Sequence, residues 1–283
     1  EYHAKSLLSA LRGAGFDPFL LEVPDGEVHK TLASAALLYE RLAAARLTRN
    51  EAVISLGGGV TGDLAGFVAA TWLRGVPFVQ IPTSLLSMVD ASVGGKVGVD
   101  LPQGKNLVGA FKQPETVLID PALLATLPAE EFRCGGADMI KAGIIADPAL
   151  FAWLEAGGVA PDGQTGAIAG AVRVKAEIVM RDPYEAGDRA WLNLGHTFGH
   201  ALELASAFTL RHGEAVGLGL IAAAKLSLLL GLCDTEIPAR ICSAVSAAGL
   251  PTRHAFDMAE VVAAMGTDKK RTGRGLRFVV IER

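Results

Sequence analysis

The chain has 283 residues, 51% of them hydrophobic, and a formal net charge of -4. That length and content bury one large core or two modest ones, and the acidic balance argues against a general nucleic-acid surface. With 33 glycines and only 6% aromatics, the composition suits an α/β protein with many tight strand-to-helix turns. Cys134, Cys233 and Cys242 are scattered and form no C-x-x-C, so a disulfide framework is not expected and a reducing cytoplasm is. The longest apolar stretch, 215–232, is broken by Lys225 and reads as a buried core helix rather than a membrane span. No signal peptide is read. The start at Glu1, already inside a helical pattern over 4–14, leads us to expect an upstream segment.

In chain order, residues 19–23 form a short apolar strand candidate, closed by the turn Pro24-Asp25-Gly26. A helix over 30–45 leads to a buried strand at 52–56. The glycine-rich run Gly57-Gly58-Gly59-Val60-Thr61-Gly62-Asp63 follows, then a helix over 64–72 and a strand at 78–82. This alternation predicts a parallel sheet with right-handed crossovers. Gly57, Gly59 and Gly62 fit G-x-G-x-x-G between strand and helix, where bare backbone and a helix N-terminus accept a pyrophosphate. A ligand-free glycine turn is the alternative. No acidic residue closes the next strand to hold a ribose, and Glu27 is the candidate substitute. The run from Pro82 to Asp100 is dense in small and hydroxyl residues and carries Asp90 and Lys96, which suggests a lined cleft; Gly104-Lys105-Asn106 adds a cation and an amide.

From about residue 121 the pattern turns helical, with helices expected at 131–146, 167–181 and 196–207. Six histidines occur in the chain, and three of them fall in Gly195-His196-Thr197-Phe198-Gly199-His200 and Arg211-His212-Gly213-Glu214. His196 and His200 are four apart, on one helical face. His212 opens the next apolar helix and could return to the same point. Two imidazoles and a carboxylate around one open position describe a catalytic zinc site, although one helical face carrying two satisfied histidines fits the spacing too. Lys96, Lys105, Lys141, Lys175, Arg189 and the Lys269/Lys270 pair accompany these motifs, a set suited to a doubly anionic substrate.

Several of these motifs, Pro24-Asp25-Gly26-Glu27 with Lys30, the run from Gly57 to Asp63, Leu192 to Glu203, His212-Gly213-Glu214 and Asp268-Lys269-Lys270, occur in the order found in 3-dehydroquinate synthases. The chain closely resembles that family, within the sugar phosphate cyclases, over about 24–280. The resemblance implies an N-terminal Rossmann-like α/β nucleotide-binding domain over 1–120, lacking its first strands. It also implies a mostly α-helical metal-binding domain over 121–283, with the active site between the two, and a cytoplasmic homodimer. The implied activity uses NAD and a divalent metal, Zn or Co. It converts 3-deoxy-D-arabino-heptulosonate 7-phosphate to 3-dehydroquinate and phosphate in the shikimate pathway, by transient oxidation, phosphate elimination, re-reduction and aldol closure.

Carried over residue by residue, the metal ligands would be Asp138, His196 and His212. NAD contacts would come from Glu27, Lys30, Gly58, Gly59, Val60, Asp63, Thr83, Ser84, Lys105 and Asn106. Substrate contacts would come from Asp90, Lys96, Asn106, Lys141, Lys175, Arg189, Asn193, His200, Lys269 and Lys270, with Arg74 reaching the partner subunit's site. One departure stands out: the family places Glu where this chain has Asp138, a loss of roughly 1.5 Å of reach, so weaker metal binding is expected. A sister cyclase such as 2-deoxy-scyllo-inosose synthase, a glycerol-dehydrogenase-like enzyme and a non-catalytic paralogue remain as alternatives.

Overall fold

A computed structural model describes residues 2–158, 164–272 and 276–282, and for 267–272 the backbone alone. The chain divides into two compact units, Glu1–Pro128 and Ala129–Arg283.

In the first unit, helix α1 spans Ala4–Gly13 and α2 spans Leu32–Ala44. Thr31 starts α2 as an N-cap, its Oγ1 accepting the Ser34 N–H at 3.1 Å, which satisfies one of the orphan donors of the first turn. Strand β1 (Val53–Gly57) pairs in parallel with β2 (Phe78–Pro82), from Val53↔Phe78 to Gly57↔Pro82, and β2 pairs in parallel with the short β5 (Thr116–Val117). The crossover is α3, Gly59–Thr71. Its Leu64, Phe67 and Val68 pack with Phe78, Val97 and Val99, each large side chain contributing about 1.5–3 kcal/mol by leaving water. Strands β3 (Lys96–Leu101) and β4 (Gly104–Phe111) form a separate antiparallel hairpin.

Three expectations change here. Residues 19–23 are not a strand: among the described residues no strand offers them a ladder, and Phe19 and Leu20 stay exposed while Leu21 and Val23 pack on the core. Helix α3 begins at Gly59 rather than 64, so most of the glycine-rich run is its first turn. A hairpin from Lys96 to Phe111 stands where the sequence pattern suggests only cleft-lining segments. Glycines at Gly98 and Gly109, where a Cβ would collide with the facing strand's backbone, hide the alternation by which strands are recognised.

The second unit is helical: α4 (Ala129–Ala146), α5 (Pro148–Glu155), α6 (Thr165–Arg181), α7 (His196–Ala205), α8 (His212–Leu229), α9 (Ile237–Ala247) and α10 (Met258–Thr272). Helix α8 is its axis. It packs on α7, α4 and α9 and buries residues around nearly its whole circumference, from Gly213 to Ser227, leaving Lys225 exposed. It is long and apolar enough to cross a membrane, yet its burial within the unit marks it as a core helix.

Candidate functional site

The two units carry separate sets of functional side chains. In the first, the buried ammonium of Lys30, 4% exposed, is the hub. It donates to Asn106 Oδ1 at 2.7 Å and Asp63 Oδ2 at 3.2 Å. It also pairs with Glu27 Oε1 at 3.2 Å, with Asp100 Oδ1 at 3.8 Å. Lys105 reaches the same Glu27 oxygen at 4.0 Å. Five of the expected nucleotide-contact residues (Glu27, Lys30, Asp63, Lys105 and Asn106) are thereby joined, tying the turn before α2, the second turn of α3 and the β3–β4 hairpin into one polar network. Asp100 was not foreseen; its Oδ1 also accepts the Asn106 N–H at 2.7 Å. Burial lowers the Lys30 pKa, but attraction to Asp63, Glu27 and Asp100 outweighs it and the pKa is raised overall.

Lys30→Met should therefore cost about 2 kcal/mol in unfolding free energy. Because the folded pKa is raised, the contribution is full across the neutral range and is lost as pH climbs above about 10.4. Denaturant unfolding of both proteins across that range checks it, the difference between them shrinking at the alkaline end.

Gly58 is the N-cap of α3 and supplies no capping side chain. A Cβ at Gly58 would lie 3.4 Å from Ser84 Oγ, and one at Gly59 3.4 Å from Ala91 Cβ. Bare backbone at a helix N-terminus fits a pyrophosphate. Val60 follows in the same turn, and Thr83 and Ser84 leave the C-terminal end of β2, where such ligands bind in parallel sheets. Asp90 lies in a π-turn over Ser87–Ala91. Lys96 opens β3 and is exposed, as is Arg74, whose φ of 67° closes the turn after α3.

In the second unit, α4, α7 and α8 converge on the histidines. Asp138 and Lys141 are both 3% exposed and joined by a 2.6 Å bond from Nζ to Oδ1. Asp138 Oδ2 is buried and accepts no hydrogen bond among the described residues, a costly vacancy for a carboxylate and one that a cation would fill. His196 Nε2 lies 3.9 Å from Asp138 Oδ1, while its Nδ1 is 3.2 Å from the Leu194 carbonyl oxygen. The ring of His196 is 5.4 Å from that of His212 and 5.5 Å from that of His200. Donor atoms of His200, Glu203 and His212 lie within 4.8 Å of one another. An imidazole pair beside a partly unsatisfied buried carboxylate fits a divalent cation.

His212 is placed by its neighbours. The Arg211 N–H donates to Glu214 Oε2 at 2.9 Å, capping α8, and the Arg211 guanidinium reaches Glu131 at 3.2 Å and Glu130 at 3.5 Å on α4. Cys134 is buried against this junction. Burial, then the nearby Glu131 charge, push its thiol up to about 11 despite backbone N–H donors from Gly213 and Glu214. It should thus remain unmodified by iodoacetamide at pH 7.5 in the native protein and react on unfolding, as peptide mass mapping would read.

Of the other expected substrate contacts, Arg189 is buried, its guanidinium donating to the Pro183 carbonyl and its N–H to Asp182 Oδ2 at 3.0 Å. Asn193 donates to Glu185 Oε1 at 2.8 Å. Both lie on the 3-10 turn Asp188–Asn193 that leads into α7. Lys175 is half-buried on α6. The side chains of Lys269 and Lys270 lie outside those described. Glu203 and Glu185 had been given no role from sequence, although Glu203 stands seven residues after His196 and three after His200, on the same helical face.

The 3-dehydroquinate synthase N-terminal family profile matches residues 20–134 and the C-terminal one 135–271. The chain belongs to the 3-dehydroquinate synthase family. It is 48% identical over 292 residues to a 3-dehydroquinate synthase of Caulobacter vibrioides, covering 99% of this chain and 79% of that one. It is 46% identical to that of Thermobifida fusca, covering 100% and 78%. Among solved structures it is similar to 2-epi-5-epi-valiolone synthase from Streptomyces hygroscopicus subsp. jinggangensis with NAD+ and Zn2+ bound. That match has 29% identity and a TM-score of 0.89, over 100% of this chain and 83% of the other. It is also similar to 2-deoxy-scyllo-inosose synthase complexed with carbaglucose-6-phosphate, NAD+ and Co2+, at 26% identity and TM-score 0.88, over 99% and 80%. The Rossmann-like α/β unit followed by a helical unit is thus the family's architecture.

Proposed function

We propose that the chain carries out the 3-dehydroquinate synthase reaction, 3-deoxy-D-arabino-heptulosonate 7-phosphate to 3-dehydroquinate and phosphate, as a cytoplasmic homodimer using NAD and zinc. The observation that carries this reading is the 46–48% identity to 3-dehydroquinate synthases over almost the whole chain, against 26–29% to the sister cyclases of the same fold. The polar groups support it. Asp138, His196 and His212 would hold the metal, and Lys30, Glu27, Asp63, Lys105 and Asn106 would bound the nucleotide site with Gly58, Gly59, Val60, Thr83 and Ser84. Bound there, the metal would supply polarisation of a substrate hydroxyl and NAD would supply reversible hydride acceptance.

The remaining work falls to this chain's own side chains. Lys141, Lys175, Arg189, Lys96, Lys269 and Lys270 are the candidate partners for the carboxylate and phosphate of a dianionic substrate, by residue type. Asn193, held by Glu185, and Asp90 would orient its hydroxyl groups. His200, exposed on the same face of α7 as His196, can accept or donate a proton at the departing phosphate. Holding one flexible substrate through several steps is catalysis by positioning. Arg74 is the candidate contribution to the partner's site.

The net conversion is redox-neutral, which sets the test. Purified protein given the heptulosonate phosphate, catalytic NAD and zinc should release phosphate without accumulating NADH, and a chelator should abolish the release. Phosphate release indifferent to chelator would remove the metal from this account. Steady NADH accumulation would point to an alcohol dehydrogenase instead.

A further inference from the structure

Two imidazoles on two helices each have an oxygen acceptor behind Nδ1, one at hydrogen-bond distance and one slightly beyond it. His196 Nδ1 lies 3.2 Å from the Leu194 carbonyl oxygen. A carbonyl only accepts, so Nδ1 carries the proton and Nε2 keeps its lone pair. Nε2 is also the nitrogen that faces Asp138, 3.9 Å from Oδ1. On α8, His212 Nδ1 lies 3.6 Å from Glu203 Oε1. Glu203 is only 5% exposed, and a buried carboxylate is retained where a cationic or N–H partner faces it. Like the carbonyl, an ionised carboxylate only accepts, so it selects the same tautomer and leaves Nε2 of His212 as the metal donor.

We propose that Glu203 is the positioning residue of the metal site: it fixes His212 as the Nδ1–H tautomer, orients its Nε2 and raises its donor strength. This rests on the metal reading given above. The role suits this chain in particular. The Asp138 carboxylate is shared with Lys141 at 2.6 Å, so its charge is partly offset, and a second buried carboxylate 3.6 Å behind an expected ligand adds to the field that holds a dication. Helix α7 makes the arrangement possible, since His196, His200 and Glu203 occupy positions i, i+4 and i+7 of one face. The opposing possibility is direct ligation by Glu203 with His200 and His212, whose donor atoms are close enough to share an ion.

Two measurements decide between them. In zinc-loaded protein with 15N-labelled histidine, long-range 1H–15N correlation should show His212 protonated at Nδ1 and metal-bound at Nε2. Metal at Nδ1 overturns the proposal while leaving a metalloenzyme, whereas no zinc binding at all overturns the metal reading with it. In chelator competition, Glu203→Gln, which keeps the size and an acceptor oxygen, should weaken metal binding about 10-fold, and Glu203→Leu about 100-fold. The visible bands of the Co2+-saturated Gln variant should be unchanged. Equal affinities across the three proteins, or altered bands with the Gln variant, would overturn it. The NMR measurement stands even if both variants fail to fold.

Discussion

Replacing Gly213 by alanine is expected to loosen the helical unit and the metal site together. A Cβ at this position would overlap the backbone of Cys134 on α4. Backbone cannot swing aside like the tip of a side chain, so α8 must lift from α4. Overpacking of this kind costs about 3 kcal/mol, the upper part of its usual range. The larger consequence is geometric. Gly213 follows His212 directly, and Cys134 lies one helical turn before Asp138, so the contact that breaks is the one that sets the separation of two expected ligands. A displacement of 1 Å is large against a zinc–ligand bond of about 2.0–2.2 Å, and metal affinity should fall more than 10-fold. Gly166→Ala is the control. It lies in α6, has nothing within 4 Å of its Cβ position, and should be neutral or stabilising by about 0.5–1 kcal/mol. Thermal unfolding and chelator competition on both variants test the pair; a Gly213→Ala protein with unchanged melting and metal affinity would falsify the docking argument.

The parts of this molecule legible from sequence are those in which one short segment contains both the chemistry and the geometry. Gly57 to Asp63 runs from the last residue of β1 into the first turns of α3, and His196 with His200 lies on one turn pair, so local spacing carries them. The Lys30 hub was legible as a list of residues but not as a network. Its members come from positions 27, 30, 63, 100, 105 and 106, and Asp100 joins only because the β3–β4 hairpin brings it within 3.8 Å of Lys30. Glycines on both strands had hidden that hairpin. Residues 19–23 failed in the opposite direction: their apolar run satisfies a strand pattern, but a strand also needs a partner's backbone, which no property of the run itself reveals. Glu203 was visible in the motif and overlooked. Its helical spacing from His196 and His200 was available, but its meaning depends on His212 returning from another helix with Nδ1 toward it.

Asp138 gives the other large effect, and its two substitutions should separate charge from reach. Asp138→Asn removes the carboxylate that receives the Lys141 ammonium at 2.6 Å, with both side chains nearly excluded from water. Breaking a buried pair from one side costs about 3–5 kcal/mol. The same change weakens the proposed metal donor, so activity in the phosphate-release assay should fall at least 100-fold. Asp138→Glu keeps the charge and adds roughly 1.5 Å of reach. In a site this closely packed, the extra methylene should destabilise the metal-free protein by about 1 kcal/mol, since no cation yet draws the longer side chain forward. With zinc present the sign reverses: a carboxylate that reaches further toward His196 and His212 should tighten binding about 10-fold, or ~1.4 kcal/mol. The melting temperature of Asp138→Glu should therefore lie below that of the parent in chelator and at or above it in excess zinc. Curves that fall in the same order under both conditions would show that Asp138 is held by Lys141 for structure, with the cation taking its carboxylate elsewhere.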